Sequence, residues 1–83
     1  MSSLRKNLAN NIYRLRVERN LSQERLAEKS KISPTSISDI ENAKVNVRID
    51  YIERIAKAFG VEGHTLLINN GVINNKKRID SKF

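Results

Sequence analysis

The chain contains no cysteine and no tryptophan, only one proline and three glycines, and just two tyrosines and two phenylalanines in 83 residues. Without cysteine there can be no disulfide scaffold, no thiolate metal cage and no thiol nucleophile, which fits a reducing compartment. No stretch approaches the ~18 to 20 consecutive apolar residues of a membrane span, and the polar N-terminus lacks the apolar run of a signal peptide. A cytoplasmic protein with no membrane partner is therefore expected. The scarcity of glycine and proline removes the punctuation that a sheet protein needs. Tyr13, Tyr51 and Phe59 stand singly and are not interleaved with basic residues, so they form no stacking platform for single-stranded nucleic acid.

What is present begins with 39% apolar residues, enough for one small core. At this length such a core is marginal, and association often supplies the missing stability. Sixteen Lys and Arg against nine Asp and Glu give a net charge of +7 and an isoelectric point near 10.2. That balance favours a polyanionic partner such as nucleic acid, although ribosomal and membrane-surface proteins share it.

The apolar residues recur at helical spacing. Leu4, Leu8, Ile12 and Leu15 stack on one face of a helix expected over 4–19. Asn20 can take the left-handed backbone that ends a helix, and Ser22 stands where its hydroxyl caps the next. A second helix is expected over 23–30, burying Leu26 and Ala27. Ser33 followed by Pro34 repeats the start signal, since proline at the first helical position gives up an N–H that has no partner there. The third helix is expected over 34–42 with Ile37 and Ile40 inward. Ile49, Ile52, Ile55, Ala56 and Phe59 form the stripe of a fourth, stopped by Gly60, with Arg48 at its cap position. Leu66, Leu67 and Ile68 predict a short fifth helix ending near Gly71; Asn70-Gly71 between apolar residues is the competing hairpin signal. The reading is all-α: a compact five-helix domain over 1–73 and a basic tail over 74–83 carrying Lys76, Lys77, Arg78 and Lys82.

Only Lys31 and Ile32 separate the expected second and third helices, which forces a sharp turn and gives helix-turn-helix geometry. At about 100 degrees per residue, with Ile37 at the origin, Ile40 falls near roughly 300 and Glu41 near roughly 40 degrees, whereas Thr35, Asp39 and Asn42 fall near roughly 160, 200 and 140. The outward face of the third helix is thus short and polar, with Asp39 its one charge. Such a face suits a major groove, where Thr35 can meet a thymine methyl or a base acceptor, Asn42 can pair with adenine or reach a phosphate, and Asp39 can accept from cytosine. Ser36 flanks this face. The alternative is an ordinary solvated face. Asp39 repels phosphate, so it is costly at a DNA surface unless it selects a base.

The stretches LSQERLAEKSKIS, SISDIEN and IERIAKAFGV resemble the lambda-repressor-like, or XRE, family of helix-turn-helix DNA-binding domains, over about Leu8 to Leu67. Within that family the run NVRIDYIERIAKAFGV looks most like the controller proteins of restriction-modification systems. Phage repressors and antitoxin-type regulators share similar stretches. Lys31 and Ala43 depart from the family, standing where many members carry glycine; a left-handed backbone at Lys31 costs ~1 kcal/mol or more. The resemblance implies double-stranded DNA as partner, with Gln23 and the start of the second helix on a phosphate, a role the helix-terminus effect also supports. Ser33, Lys44 and Arg48 are further phosphate candidates. It also implies an internal ion pair between Arg16 and Glu41.

These observations lead to a regulator that acts as a homodimer on an inverted repeat and sets one third helix per subunit into successive major grooves. Val61, Leu67 and Ile68 add apolar surface beyond what four helices need, and are the expected dimer surface; closure of the core by Leu66 and Leu67 is the plainer reading. No cofactor and no small-molecule ligand are required. His64 is the only histidine and has no second ligand at metal-binding spacing. No oxyanion loop or phosphate-cradling motif accompanies the serines, so an enzyme is not expected. RNA polymerase is a further conceivable partner through Glu18, Glu24 and Glu28. The competing class is an antitoxin or other protein-interaction module whose tail or fifth helix binds a protein.

Overall fold

The computed structural model describes residues 4–69 and is all-helical there, with no strand among the described residues. Four α-helices follow in order, α1 Leu4–Glu18, α2 Gln23–Ser30, α3 Pro34–Glu41 and α4 Ile49–Phe59, and a 3-10 turn Gly63–Leu66 closes the series. The fifth helix expected from the sequence is this single turn; its four residues are too short to present a stripe of their own. The Asn70-Gly71 signal, the domain limit at 73 and the basic tail over 74–83 lie outside the described residues.

The helix starts follow the side chains. Ser22 Oγ accepts from Arg25 N at 3.0 Å, and Ser33 Oγ accepts from Ser36 N at 3.1 Å with Pro34 in the first turn. Each cap satisfies one of the four N–H groups that a helix start leaves open. Arg48 stands at the cap of α4 without a side-chain cap bond, and Asp50 supplies the negative charge of that first turn.

The helix ends share one device. Asn20, Lys31, Ala43 and Gly60 all have positive φ, at 56, 60, 57 and 74°. Beyond each of them an amide reaches back to the carbonyl five residues earlier: Leu21 to Arg16, Ile32 to Ala27, Lys44 to Asp39 and Val61 to Ala56, all at 2.9 to 3.0 Å. This is the Schellman closure, which satisfies carbonyls the helix end would leave open and reverses the chain in very few residues. Only α4 uses glycine for it.

The core is built from every element. Ile12, Leu26, Ile37, Ile40, Ile55 and Leu66 are fully buried, and Ile32 is buried from the turn between α2 and α3. α2 packs on both α3 and α4, α1 on α3, and the 3-10 turn lies against α4 and α1. Two expected stripe positions stay outside: Leu4 is 65% and Ile49 73% exposed. Both occupy the first position of their helices, where the stripe overhangs the core.

Two asparagines tie the last turn to the first helix. Asn11, itself buried, donates through Nδ2 toward the carbonyls of Leu66 at 2.8 Å and Ile68 at 2.9 Å, and Asn7 donates to Leu67 O at 3.1 Å. The carbonyls at the end of so short a turn have no helical partner, and these amides supply one.

Candidate nucleic-acid interface

The turn from α2 to α3 takes three residues, Lys31 to Ser33. Ile32 anchors it in the core, and Arg54 Nη1 of α4 donates to Lys31 O at 3.2 Å. Held at its start by this turn, α3 buries Ile37 and Ile40 and turns Thr35 and Asn42 to solvent; Ser36 and Asp39 are half-buried at its flank. Ser33 Oγ and Ser36 Oγ lie 2.9 Å apart. Asn42 Nδ2 donates back to Ser38 O at 2.9 Å, closing the end of α3. An adenine reached by Asn42 must therefore compete with this bond or use the remaining amide groups.

A concavity of about 190 Å³ opens beside α3, lined by Ser36, Asp39, Ile40, Val45, Asn46, Val47, Arg48 and Tyr51. Asp39 and Arg48 thus flank one depression. Arg48 Nε is paired with Asp50 Oδ1 at 3.0 Å, and its guanidinium lies 5.6 Å from the centroid of the Tyr51 ring. Arg54 covers the same ring at 5.5 Å and reaches Asp50 Oδ2 at 3.6 Å. Tyr51 was not singled out as a site residue by the sequence; its place between two arginines depends on packing of α4 that no spacing reveals. Lys44 is exposed in the loop after α3.

The opposite edge is held by a buried carboxylate. Glu41 Oε2 receives Arg16 Nε at 2.6 Å, and Glu41 Oε1 receives both Arg16 Nη2 and Gln23 Nε2 at 3.1 Å. The third nitrogen, Arg16 Nη1, donates to Leu21 O at 2.8 Å. The Glu41 side chain is 5% and that of Arg16 14% exposed. The hydrogen bond from Arg16 to Glu41 raises the guanidinium pKa above its ordinary value, against the opposing effect of burial. Every nitrogen of Arg16 is thus committed inside the domain.

A second surface is apolar. Leu4, Leu8, Val47, Ile49, Ile52 and Leu67, with Arg5 and Asn46, line an open groove of about 280 Å³. Arg5 Nη2 donates to Asn46 Oδ1 across it at 2.7 Å. Of the three residues expected at a dimer surface, Leu67 is half-buried in this groove, Val61 is half-buried, and Ile68 is 47% exposed. Leu66, in contrast, is wholly inside the core.

Residues 12–66 match the family model HTH_3, described as helix-turn-helix. The chain belongs to this family. Its helix-turn-helix is of the XRE type. It is 50% identical over 48 residues to the control protein C.BamHI of Bacillus amyloliquefaciens, a match covering 58% of this chain and 59% of that protein. It is 37% identical over 65 residues to a hypothetical transcription factor of Neisseria meningitidis, covering 78% of this chain and 61% of that protein. The chain thus spans about three fifths of the length of these curated relatives. The Neisseria factor has a solved structure that superposes with a TM-score of 0.77 at 36% identity, over 80% of this chain and 76% of the other. The restriction-modification controller protein C.AhdI of Aeromonas hydrophila superposes at 0.72 and 27% identity, over 75% of this chain and 94% of its own.

Among the described residues no group of three or more His, Cys, Asp or Glu is placed to hold a metal ion, and no helix is long and apolar enough to cross a membrane.

Proposed function

We propose that this regulator binds an inverted-repeat operator as a homodimer, in the manner of a restriction-modification controller, and that α3 reads the bases. The observation that carries the reading is the outward face of α3, polar and nearly uncharged in a chain of net charge +7. A surface meant only for phosphates would carry Lys and Arg there; base edges need short donors and acceptors. Thr35, Ser36, Asp39 and Asn42 are the proposed readers. Gln23, Ser33, Lys44 and Arg48 surround them as the proposed phosphate contacts, and Arg16 and Glu41 serve the interior. The similarity to C.BamHI supports the controller assignment.

One domain makes few contacts, and a two-fold pair sums the free energies of two half-sites. The apolar groove with Leu67, together with exposed Ile68 and half-buried Val61, is the proposed dimer surface. No cofactor enters the mechanism, and the proposed setting is the cytoplasm.

The test is selection of bound DNA from a random duplex pool at near-physiological salt. Enrichment of two similar half-sites in inverted orientation, about one helical turn apart, is the expected result. Binding without enrichment that fades uniformly as salt rises would reduce the interaction to phosphate attraction.

A further inference from the structure

Gln23 opens α2, where it is the proposed phosphate ligand, yet its amide nitrogen already donates to Glu41 Oε1 at 3.1 Å. Only the nitrogen of that amide can donate to a carboxylate, so the bond also fixes which way the amide is turned. The same oxygen takes Arg16 Nη2 at 3.1 Å, and its twin takes Arg16 Nε at 2.6 Å. Glu41 is the last residue of α3, and its side chain is almost wholly buried. A glutamine on a surface ordinarily loses side-chain freedom when it grips a ligand; here the restriction is imposed beforehand.

We infer that Glu41 is a positioning residue for DNA binding: its carboxylate orients the Gln23 amide so that the second amide hydrogen is presented to a phosphate at the start of α2. The inference rests on the phosphate role proposed for Gln23. It makes one buried group set both the seat of the base-reading helix and the backbone grip beside it. Arg16 acts behind them, because its guanidinium holds Glu41 with two hydrogen bonds and Leu21 O with a third.

The experiment uses the full chain and the operator recovered by selection, with single neutral methylphosphonate linkages walked along each strand. In the unaltered protein one linkage per half-site costs about tenfold in affinity, the size of one charge-assisted hydrogen bond. That linkage-specific cost disappears in Gln23→Ala and equally in Glu41→Gln, and the double variant is no less sensitive than either. Thermal melting of each variant separates lost fold from lost contact. If Gln23→Ala removes the cost but folded Glu41→Gln retains it, the phosphate role stands and the positioning role is overturned. If Gln23→Ala changes sensitivity at no linkage, or no operator is recovered, the phosphate role falls and the inference with it. Should Glu41→Gln fail to fold, the side-chain amide of Gln23 in the unaltered free protein decides by nitrogen-15 relaxation. A rigid amide is expected; one that reorients freely before DNA is added overturns the proposal.

Discussion

Asn11 and the left-handed turn residues carry more of the fold than their side chains advertise. Asn11 donates to two backbone carbonyls of the last turn, at 2.8 and 2.9 Å. Replacement by leucine, similar in size, leaves both carbonyls short of a donor, and the expected loss is about 1 to 3 kcal/mol, read from the midpoint of urea unfolding. The opposite sign is expected at Lys31 and Ala43, whose φ values of 60 and 57° are unfavourable for residues with a Cβ. Relief of about 1 to 2 kcal/mol of left-handed strain, less the greater freedom of glycine in the unfolded chain, leaves Lys31→Gly and Ala43→Gly each more stable by about 0.5 to 1 kcal/mol. The same urea titration checks both. Lys31 was recognisable as a strained turn residue because it stands where many members of the family that the sequence resembles carry glycine. Asn11 was not, because its partners lie 55 and 57 positions away and are backbone atoms, which no side-chain pattern reports.

At the scale of elements, α3 and its neighbours divide the labour of binding. Thr35→Ala or Asp39→Ala is expected to alter base preference in a repeated selection, whereas Gln23→Ala or Arg48→Ala weakens all duplexes alike. Arg48→Ala also lowers the salt slope by about one; equal losses on operator and random DNA for all four would remove α3 as the reader. The seat of α3 depends on Arg16 and Glu41. Glu41→Ala leaves a buried guanidinium unpaired and costs about 3 to 5 kcal/mol, measurable by thermal melting. Because folding raises the pKa of Arg16, the stability this contributes is complete below the unfolded-state value and lost only as pH climbs through the folded one, in strong alkali. Titration from neutral pH into mild alkali leaves the guanidinium's contribution unchanged. The bounds of α2, the serine caps and the inward pair Ile37 and Ile40 were all legible, since each follows from local chemistry at fixed spacing. The fifth helix was not: of the apolar Leu66, Leu67 and Ile68, one fills the core, one is half-buried against it and one is exposed, and a stripe does not say which. Leu4 and Ile49 mislead for the same reason. The Gln23 to Glu41 bond was hidden because it joins two helices whose relative placement is a property of the packed domain.

For the molecule as a whole, the exposed apolar side chains are unevenly placed. Leu4 and Ile49 border the groove that Leu67 lines. An aspartate at position 49 or 68 puts a charge on this surface without touching the core. Ile49→Asp and Ile68→Asp are expected to shift the sedimenting mass toward one subunit and to weaken operator binding steeply; an unchanged mass in both places the pairing elsewhere. α1 leaves the ribosome before the other described elements, yet Leu66 fills the core against it and Asn11 waits for the carbonyls of Leu66 and Ile68. A nascent chain that has emerged only as far as Gly60 holds four helices with neither the plug nor the clasp. Native structure of the domain then arrives only once residues 66–68 have emerged, and nearly all at once, so a chain cut short before that point is open to proteolysis.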